Sequence, residues 1–185
     1  MKQLPVRCKN TAITSMENHS QQYILWLMPE PEMAEQLSGL IQKIADENGS
    51  EAFEPHITLA SRLPPPHAKW IRFMFEAELT REIALELKYD GLKSSNDYYK
   101  GLYLEVMPQR QLGKLRSQLE RFITPSLESF EPHISLYYGL EGEIIKKQFS
   151  GIERLFTAKI AFNSIRLVHA GRNPRDWLKI AERHF

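Results

Sequence analysis

Two histidines, each followed two positions later by a hydroxyl residue, are the side chains in this sequence best suited to acid–base chemistry. They lie in a repeated heptapeptide: FEPHITL at 53–59 recurs 77 positions later as FEPHISL at 130–136, with six of seven residues identical. A lone His-x-Ser/Thr is weak evidence, but two seven-residue copies indicate an internal duplication. The repeat predicts that both copies contribute to one site.

Both copies have the alternation expected of a β-strand. Because strand side chains point alternately to opposite faces, His56 and Thr58 share one face and their apolar neighbours share the other. His133 and Ser135 are related in the same way. If two similar halves pack about a pseudo-two-fold axis, the polar faces meet and bring two imidazoles and two hydroxyls into one groove.

Such a group of side chains suits the opening of a strained cyclic phosphodiester by water. An imidazole with a pKa near 6.5 can accept or donate a proton around neutral pH, so one histidine can deprotonate the water while the other protonates the departing oxygen. The hydroxyls of Thr58 and Ser135 can bind the non-bridging phosphate oxygens. This chemistry needs no metal ion.

The same residues leave other interpretations open. Glu54 and Glu131 have the parity of the histidines, so two histidines and two glutamates could hold a divalent metal, although each glutamate precedes a proline at the strand entrance. Trp26 could stack a nucleobase or pack in the core. A purely structural role for the histidines is disfavoured, because a structural polar pair need not recur with the same neighbours in both halves.

The residues around the motifs repeat in the same order. Each half predicts a strand, a helix, the motif strand, a second helix and a third strand. In the first half these segments are about 23–28, 33–44, 53–59, 65–77 and 79–89. In the second half they are about 102–107, 112–123, 130–136, 142–149 and 154–169. A turn signal at 171–174 precedes a closing strand at about 177–184.

The domain organisation follows from this repeat. We expect an extension at 1–21 and one bilobal domain at 22–185, with halves of approximately 22–97 and 98–185. The 185 residues, 42% apolar and 25% charged, are typical of a globular protein and exclude disorder, collagen and coiled coil.

Composition also bounds the location and the partners. No apolar run is long enough to cross a bilayer and the N-terminus has no signal-peptide core, so we expect a cytoplasmic protein that does not bind membranes. A single cysteine, Cys8, can form neither an internal disulfide nor a thiolate cluster. The net charge of +1 does not favour a non-specific nucleic-acid binder.

The paired motifs resemble the two-histidine (2H) phosphoesterase superfamily, and within it the cyclic phosphodiesterase branch known from yeast and plants. Further similar segments cover most of residues 22–185: Leu25-Trp26 with a proline soon after, YKGLYLE at 99–105, PHISLYY at 132–138 and Arg175-Asp176-Trp177. The resemblance implies a bilobal α+β fold in which each lobe is an antiparallel sheet with outer helices, and in which the active-site cleft lies between the lobes.

The resemblance also implies an activity and residue roles. The activity is metal-independent hydrolysis of nucleoside 2′,3′-cyclic phosphates to 2′-phosphates, and of ADP-ribose 1″,2″-cyclic phosphate, a by-product of tRNA splicing, to ADP-ribose 1″-phosphate. His56 and His133 become the proton donor and acceptor, and Thr58 and Ser135 the phosphate ligands. Tyr138 becomes a further substrate ligand, although strict alternation would place Tyr137 on that face, so a bend or strand end is required.

We therefore expect a monomer that acts on a small cyclic nucleotide without a cofactor or metal. Two alternatives remain at this point. The substrate could be the cyclic phosphate at an RNA 3′ end, in which case a basic track should extend beyond the cleft. The protein could also be a nucleotide-binding module without turnover, although two complete motifs argue against this.

Overall fold

The computed structural model describes residues 22–63, 65, 71–72, 83–107, 109–121, 130–155, 159–171 and 173–185. The predicted extension at 1–21 lies outside these residues, as does most of the predicted helix at 65–77. Ile71 and Arg72, which belong to that helix, are helical.

The described elements follow the predicted order in both halves. The first half contains β1 (Gln22–Pro29), α1 (Pro31–Asn48), β2 (Ile57–Leu63) and β3 (Ile83–Ser94). The second half contains β4 (Leu102–Val106), α2 (Arg110–Glu120), β5 (His133–Tyr137), α3 (Gly142–Gln148) and β6 (Lys159–Ala170). The predicted closing strand is β7 (Leu178–His184). Three 3-10 turns lie at Tyr98–Lys100, Ile152–Leu155 and Pro174–Asp176.

The strands form two antiparallel sheets joined through β3. The order is β2-β1-β6-β3-β4-β5, and β7 pairs with β6. The first residues of β3 pair with the start of β6, whereas its later residues pair with β4. As a result β6 from the second half lies beside β1, and β3 from the first half lies beside β4. Each half thus contributes its third strand to the sheet of the other half.

The crossing of β3 and β6 marks the pseudo-two-fold axis. Ala84 pairs directly with Ala161, and these two residues are 77 positions apart, the same separation that relates the motifs. A residue that pairs with its own repeat must lie next to the symmetry axis. The duplicated sequence therefore folds as two interlocked halves.

Helix α1 illustrates how the sequence produces these elements. It begins with Pro31, whose fixed φ suits the first helical position, and it ends at Gly49 in the left-handed conformation with φ 63°. Its inward stripe contains Met33, Leu37, Leu40, Ile41 and Ile44, which recur at helical spacing within the segment predicted as a helix. The buried apolar residues of both halves, including the apolar faces of β2 and β5, form one contiguous core.

The expected α+β class, with antiparallel sheets and few helices, is confirmed. No helix in the described part of the chain is both long and apolar enough to span a membrane.

Candidate active site

Cross-strand pairing places an aromatic residue beside the hydroxyl of each motif. Trp26 of β1 pairs with Thr58 of β2, and Tyr103 of β4 pairs with Ser135 of β5. The two pairs are again 77 positions apart. Because cross-strand partners project from the same face of a sheet, each half presents a ring, an imidazole and a hydroxyl together, as the alternation predicts.

The first histidine is enclosed by aromatic rings. His56 is only 6% exposed, and its ring stacks on Trp26 with centroids 3.9 Å apart. Trp177 approaches the same imidazole edge-on at 6.3 Å. The Nδ1 atom of His56 lies 2.7 Å from the main-chain oxygen of Glu54.

This enclosure keeps His56 neutral. Its pKa is lowered to about 3, mainly by burial; the Glu54 hydrogen bond opposes this shift, and the charges of His133 and Arg166 contribute to it. Since the charge of His133 acts on His56, the two motif histidines lie within electrostatic range of each other across the cleft.

The second histidine has the same hydrogen bond in a more polar environment. The Nδ1 atom of His133 lies 2.7 Å from the main-chain oxygen of Glu131, and its ring meets Tyr103 edge-on at 5.3 Å. Burial lowers the pKa of His133 and the charge of Lys100 adds to this, whereas the carboxylates of Glu131 and Asp97 oppose it. The two halves therefore present the same group with unequal surroundings.

The shared hydrogen bond determines the tautomer of both rings. A carbonyl oxygen only accepts, so Nδ1 must carry the proton in each histidine. In the neutral ring Nε2 is then an acceptor, and in the protonated ring it is a donor. Both histidines are thus prepared to exchange protons through Nε2.

The hydroxyl of the second motif is engaged in the free protein. Ser135 Oγ donates to the main-chain oxygen of Tyr99 at 2.9 Å, so the 3-10 turn Tyr98–Lys100 lies directly against β5. Gly139 donates to the main-chain oxygen of Tyr98 at 2.8 Å, which attaches the same turn to the segment after β5.

A β-bulge explains how Tyr138 and Tyr137 are arranged. Ser135 and Tyr137 pair with the adjacent β4 residues Tyr103 and Leu102. Leu136, which lies between Ser135 and Tyr137, therefore has no partner in β4 and forms the bulge. The bulge reverses the alternation, so Tyr137 turns to the core, where its hydroxyl donates to Glu141 at 2.9 Å. Strict alternation alone would have placed it on the cleft face.

Tyr138 consequently lies between the two halves. Its ring stacks on Phe53 of the first motif with centroids 3.8 Å apart, and it lies 6.0 Å from Trp177. Burial raises the pKa of Tyr138, so its phenol stays protonated and can act as a donor. The bend that this residue requires for a role in the cleft is therefore present.

The two motif glutamates pair with cations. Glu54 Oε2 lies 2.5 Å from Nη1 of Arg166, and Glu131 Oε2 lies 2.6 Å from Nζ of Lys100. Within the described residues, no group of three or more His, Cys, Asp or Glu side chains is arranged to hold a metal ion.

Sequence reasoning missed the supporting residues of the site. Arg166, Lys100 and the Tyr99 carbonyl reach the motifs from elements far away in sequence. Tyr99 and Lys100 lie in the YKGLYLE segment of the family resemblance, but no pattern assigned a role to them or to Arg166. Trp177 was noticed only as part of the family resemblance. A cavity of about 110 Å³ opens beside it and is lined by Trp26, Glu54, Val168, Pro174, Trp177 and Lys179.

The folded chain thus has the architecture of a phosphoesterase of the 2H class. It belongs to the cyclic phosphodiesterase-like protein family, whose family model matches residues 22–154. The predicted membership of the 2H phosphoesterase superfamily is confirmed, whereas the yeast and plant branch stays a prediction.

Solved structures share the fold. A structure described as a phosphoesterase has a TM-score of 0.56 at 17% identity, covering 90% of this chain and 99% of its own. LigT from E. coli in its apo form has a TM-score of 0.54 at 17% identity, covering 89% and 96%. LigT complexed with 3′-AMP has a TM-score of 0.52 at 20% identity, covering 89% and 98%. No curated protein sequence matches the chain.

Proposed function

We propose that this protein hydrolyses cyclic phosphodiesters on nucleotides, with His56 and His133 as the catalytic acid–base pair. The substrates we propose are nucleoside 2′,3′-cyclic phosphates, opened to 2′-phosphates, and ADP-ribose 1″,2″-cyclic phosphate, opened to ADP-ribose 1″-phosphate. The observation that carries the proposal is the duplicated geometry: two imidazoles from opposite halves are both held as Nδ1–H tautomers, and the stacking of Tyr138 on Phe53 brings the two motifs together.

The bond changes are simple. One neutral imidazole takes a proton through Nε2 from water, whose oxygen attacks phosphorus. The bond between phosphorus and the 3′ oxygen breaks, and the other imidazolium gives its Nε2 proton to that oxygen. The products are a 2′-phosphate and a free 3′ hydroxyl. The proton gained by one histidine and the proton given up by the other balance, and exchange with solvent restores both histidines to their starting protonation states.

The unequal surroundings suggest which histidine has which role. A general base must be neutral before the reaction, and His56, buried against Trp26 with Arg166 nearby, disfavours the charged form. A general acid must be protonated, and His133 has the carboxylates of Glu131 and Asp97 in range. We therefore assign His56 as the base and His133 as the acid.

Three further side chains would bind the phosphate. Thr58 and Ser135 lie two residues after the histidines on the same face of the strand, and their hydroxyls can donate to the non-bridging oxygens. Ser135 must first turn its hydroxyl away from the Tyr99 carbonyl. The protonated phenol of Tyr138 can supply another donor. LigT, which shares the fold, has been solved with phosphate and with 3′-AMP, which supports a nucleotide phosphate as the ligand class.

The other aspects of the proposal follow from the sequence. We propose a monomer in the cytoplasm that uses no cofactor. An RNA 3′ end stays an alternative substrate, but Arg166 and Lys100, the cations beside the histidines, are engaged by glutamates and do not form an open basic track. The protein could instead bind nucleotides without turnover, and turnover of a cyclic nucleotide in an activity assay would exclude that alternative.

The decisive experiment incubates the protein with a nucleoside 2′,3′-cyclic phosphate and identifies the product. We expect a 2′-phosphate, undiminished activity in excess chelator, and a loss of about 10²- to 10⁴-fold in kcat for His56→Ala and for His133→Ala. The double variant should be little worse than either single one, because the pair acts as a unit. The exposed His184 provides the control, as His184→Ala should keep full activity. Retention of most activity in either motif variant would contradict the mechanism, and loss of activity in chelator would favour a metal site.

A further inference from the structure

Each motif glutamate makes two contacts that bear on its histidine. The main-chain oxygens of Glu54 and Glu131 accept the Nδ1–H bonds of His56 and His133, both at 2.7 Å. The carboxylates of the same two glutamates bind cations. A single residue thus connects each imidazole to a positive charge.

The cations come from unrelated parts of the fold. Arg166 lies on β6, and Lys100 lies in the 3-10 turn before β4. The 77-residue shift that relates the two glutamates would instead relate Arg166 to Tyr89 and Lys100 to Tyr23. Duplication explains why both glutamates are present, but it does not explain why both have a cation. The two cations are therefore not equivalent positions of the repeat.

Stability does not account for this coincidence. The glutamate side chains are 62% and 75% exposed, and ion pairs at such positions contribute little to the free energy of unfolding. The cation side chains are only 14% and 17% exposed, and each has a second contact. Arg166 binds Glu182 at 3.1 Å, and Lys100 lies 4.6 Å over the ring of Tyr103. The cation is therefore the fixed partner, and the glutamate is tethered to it.

The tether acts on the peptide group that holds the imidazole. A proline follows each glutamate and restricts the glutamate backbone to extended conformations. Within that range, the ion pair of the glutamate side chain limits how far its main-chain carbonyl can rotate. We propose that Arg166 and Lys100 are positioning residues, which act through Glu54 and Glu131 to hold the carbonyls that keep His56 and His133 as Nδ1–H tautomers with Nε2 free. This inference rests on the proposed function for its catalytic consequence, but not for the tautomer itself.

The second half offers the cleaner test. The charged groups that act on His133 are Lys100, Glu131 and Asp97. Removing the lysine charge should raise the pKa of His133, because a nearby cation disfavours the imidazolium. Removing the glutamate charge should lower that pKa for the opposite reason. Opposite shifts would show that both charges act on the imidazole, and the tautomer and the rate show whether the pair also holds it in place.

The experiment compares Lys100→Met, Glu131→Gln, the double variant and Lys100→Arg, with Lys43→Met as the control. Lys43 belongs to an exposed pair with Glu47 on α1. We expect kcat to fall about tenfold or more in both single variants, because a small misplacement of a reacting group is costly. KM should change less than about threefold, since ground-state binding is unaffected. The double variant should resemble the single ones, Lys100→Arg should restore most of the rate, and Lys43→Met should be unchanged.

NMR of the imidazole nitrogens supplies a readout that does not depend on turnover. In the wild type His133 should be the Nδ1–H tautomer, and in Lys100→Met it should become a mixture of tautomers, with opposite pKa shifts in Lys100→Met and Glu131→Gln. Unchanged kcat and tautomer in both variants would overturn the proposal. So would a pure KM effect, which would make Lys100 a direct substrate ligand. An inactive wild type with the expected NMR shifts would overturn the proposed function and leave the positioning role intact.

Discussion

The two histidine motifs are almost identical, yet the residues around them have diverged. The position beside the first hydroxyl is Trp26, which stacks on His56, and the equivalent position is Tyr103, which meets His133 only edge-on. Trp177 covers the first histidine as well. Greater burial and fewer carboxylates depress the pKa of His56 more strongly. This asymmetry can give one histidine the role of base and the other that of acid.

The contact of Trp177 with His56 leads to a testable prediction about the pKa of His56. Burial is the main cause of the lowered pKa of His56, which is about 3. Trp177→Ala should admit water to the imidazole, stabilise the charged form and raise that pKa towards 6.5. NMR titration of His56 in the ligand-free protein measures it. Trp177→Phe, which keeps an aromatic ring in place, should shift the pKa much less. Equal pKa values in the wild type and the alanine variant would show that Trp177 does not exclude water.

At the scale of elements, the 3-10 turn Tyr98–Lys100 connects the second motif to its surroundings. It carries the Tyr99 carbonyl that accepts from Ser135 and the lysine that binds Glu131. Gly101, which follows the turn, lies against the start of α3, and a Cβ added at Gly142 would overlap the Gly101 carbonyl. A glycine is therefore required where the two backbones touch.

Gly142→Ala tests the importance of this contact. The added methyl group must displace the turn, so we expect a loss of about 1–3 kcal/mol in the free energy of unfolding and a lower kcat. Gly113 in α2 is the matched control, because a Cβ there meets nothing within 4 Å. Gly113→Ala should stabilise the protein by about 0.5–1 kcal/mol and leave activity unchanged. Urea denaturation and the turnover assay measure both. Wild-type activity in Gly142→Ala would mean that the turn does not support the site.

The order of the elements could be predicted from the sequence, but their edges and irregularities could not. The helix predicted at about 33–44 is α1, because its apolar residues recur at helical spacing. The bulge at Leu136 does not follow, because alternation is a property of an ideal strand and a bulge arises from pairing with a particular neighbour. This is why the orientation of Tyr138 needed the structure.

For the whole molecule, the exchange of β3 and β6 makes the two halves one cooperative unit. Without β6 the first sheet would lose the strand between β1 and β7, and without β3 the second sheet would lose its link to the first. The buried residues of both halves also form one core. We therefore expect a single unfolding transition. Tryptophan fluorescence and far-UV circular dichroism should give coincident denaturation curves, whereas two separated transitions would show that the lobes unfold independently.

The exchange also changes the meaning of the charge distribution. Residues 22–97 carry 7 basic and 13 acidic groups, and residues 98–185 carry 14 and 9. This suggests a basic second lobe that receives a substrate's extra phosphates. In the folded protein β6 and β7, with Arg166 and Lys179, belong to the sheet of β1 and β2. The basic residues of the second half are therefore distributed over both sheets, although they are concentrated in one half of the sequence.

The sequence by itself determined the duplication, the element order and the candidate residues for acid–base chemistry, because repetition and alternation are local properties that can be seen in one chain. His56, Thr58, His133 and Ser135 were found in this way. Only the tertiary structure decided which strands exchange, which cation serves each glutamate and how the two histidines differ. Those features depend on contacts between residues far apart in sequence, such as Glu54 with Arg166. Such contacts produce no periodicity or motif in the sequence near either residue. The two equivalent histidines follow from the repeated motif, and their different environments follow from the packing around them.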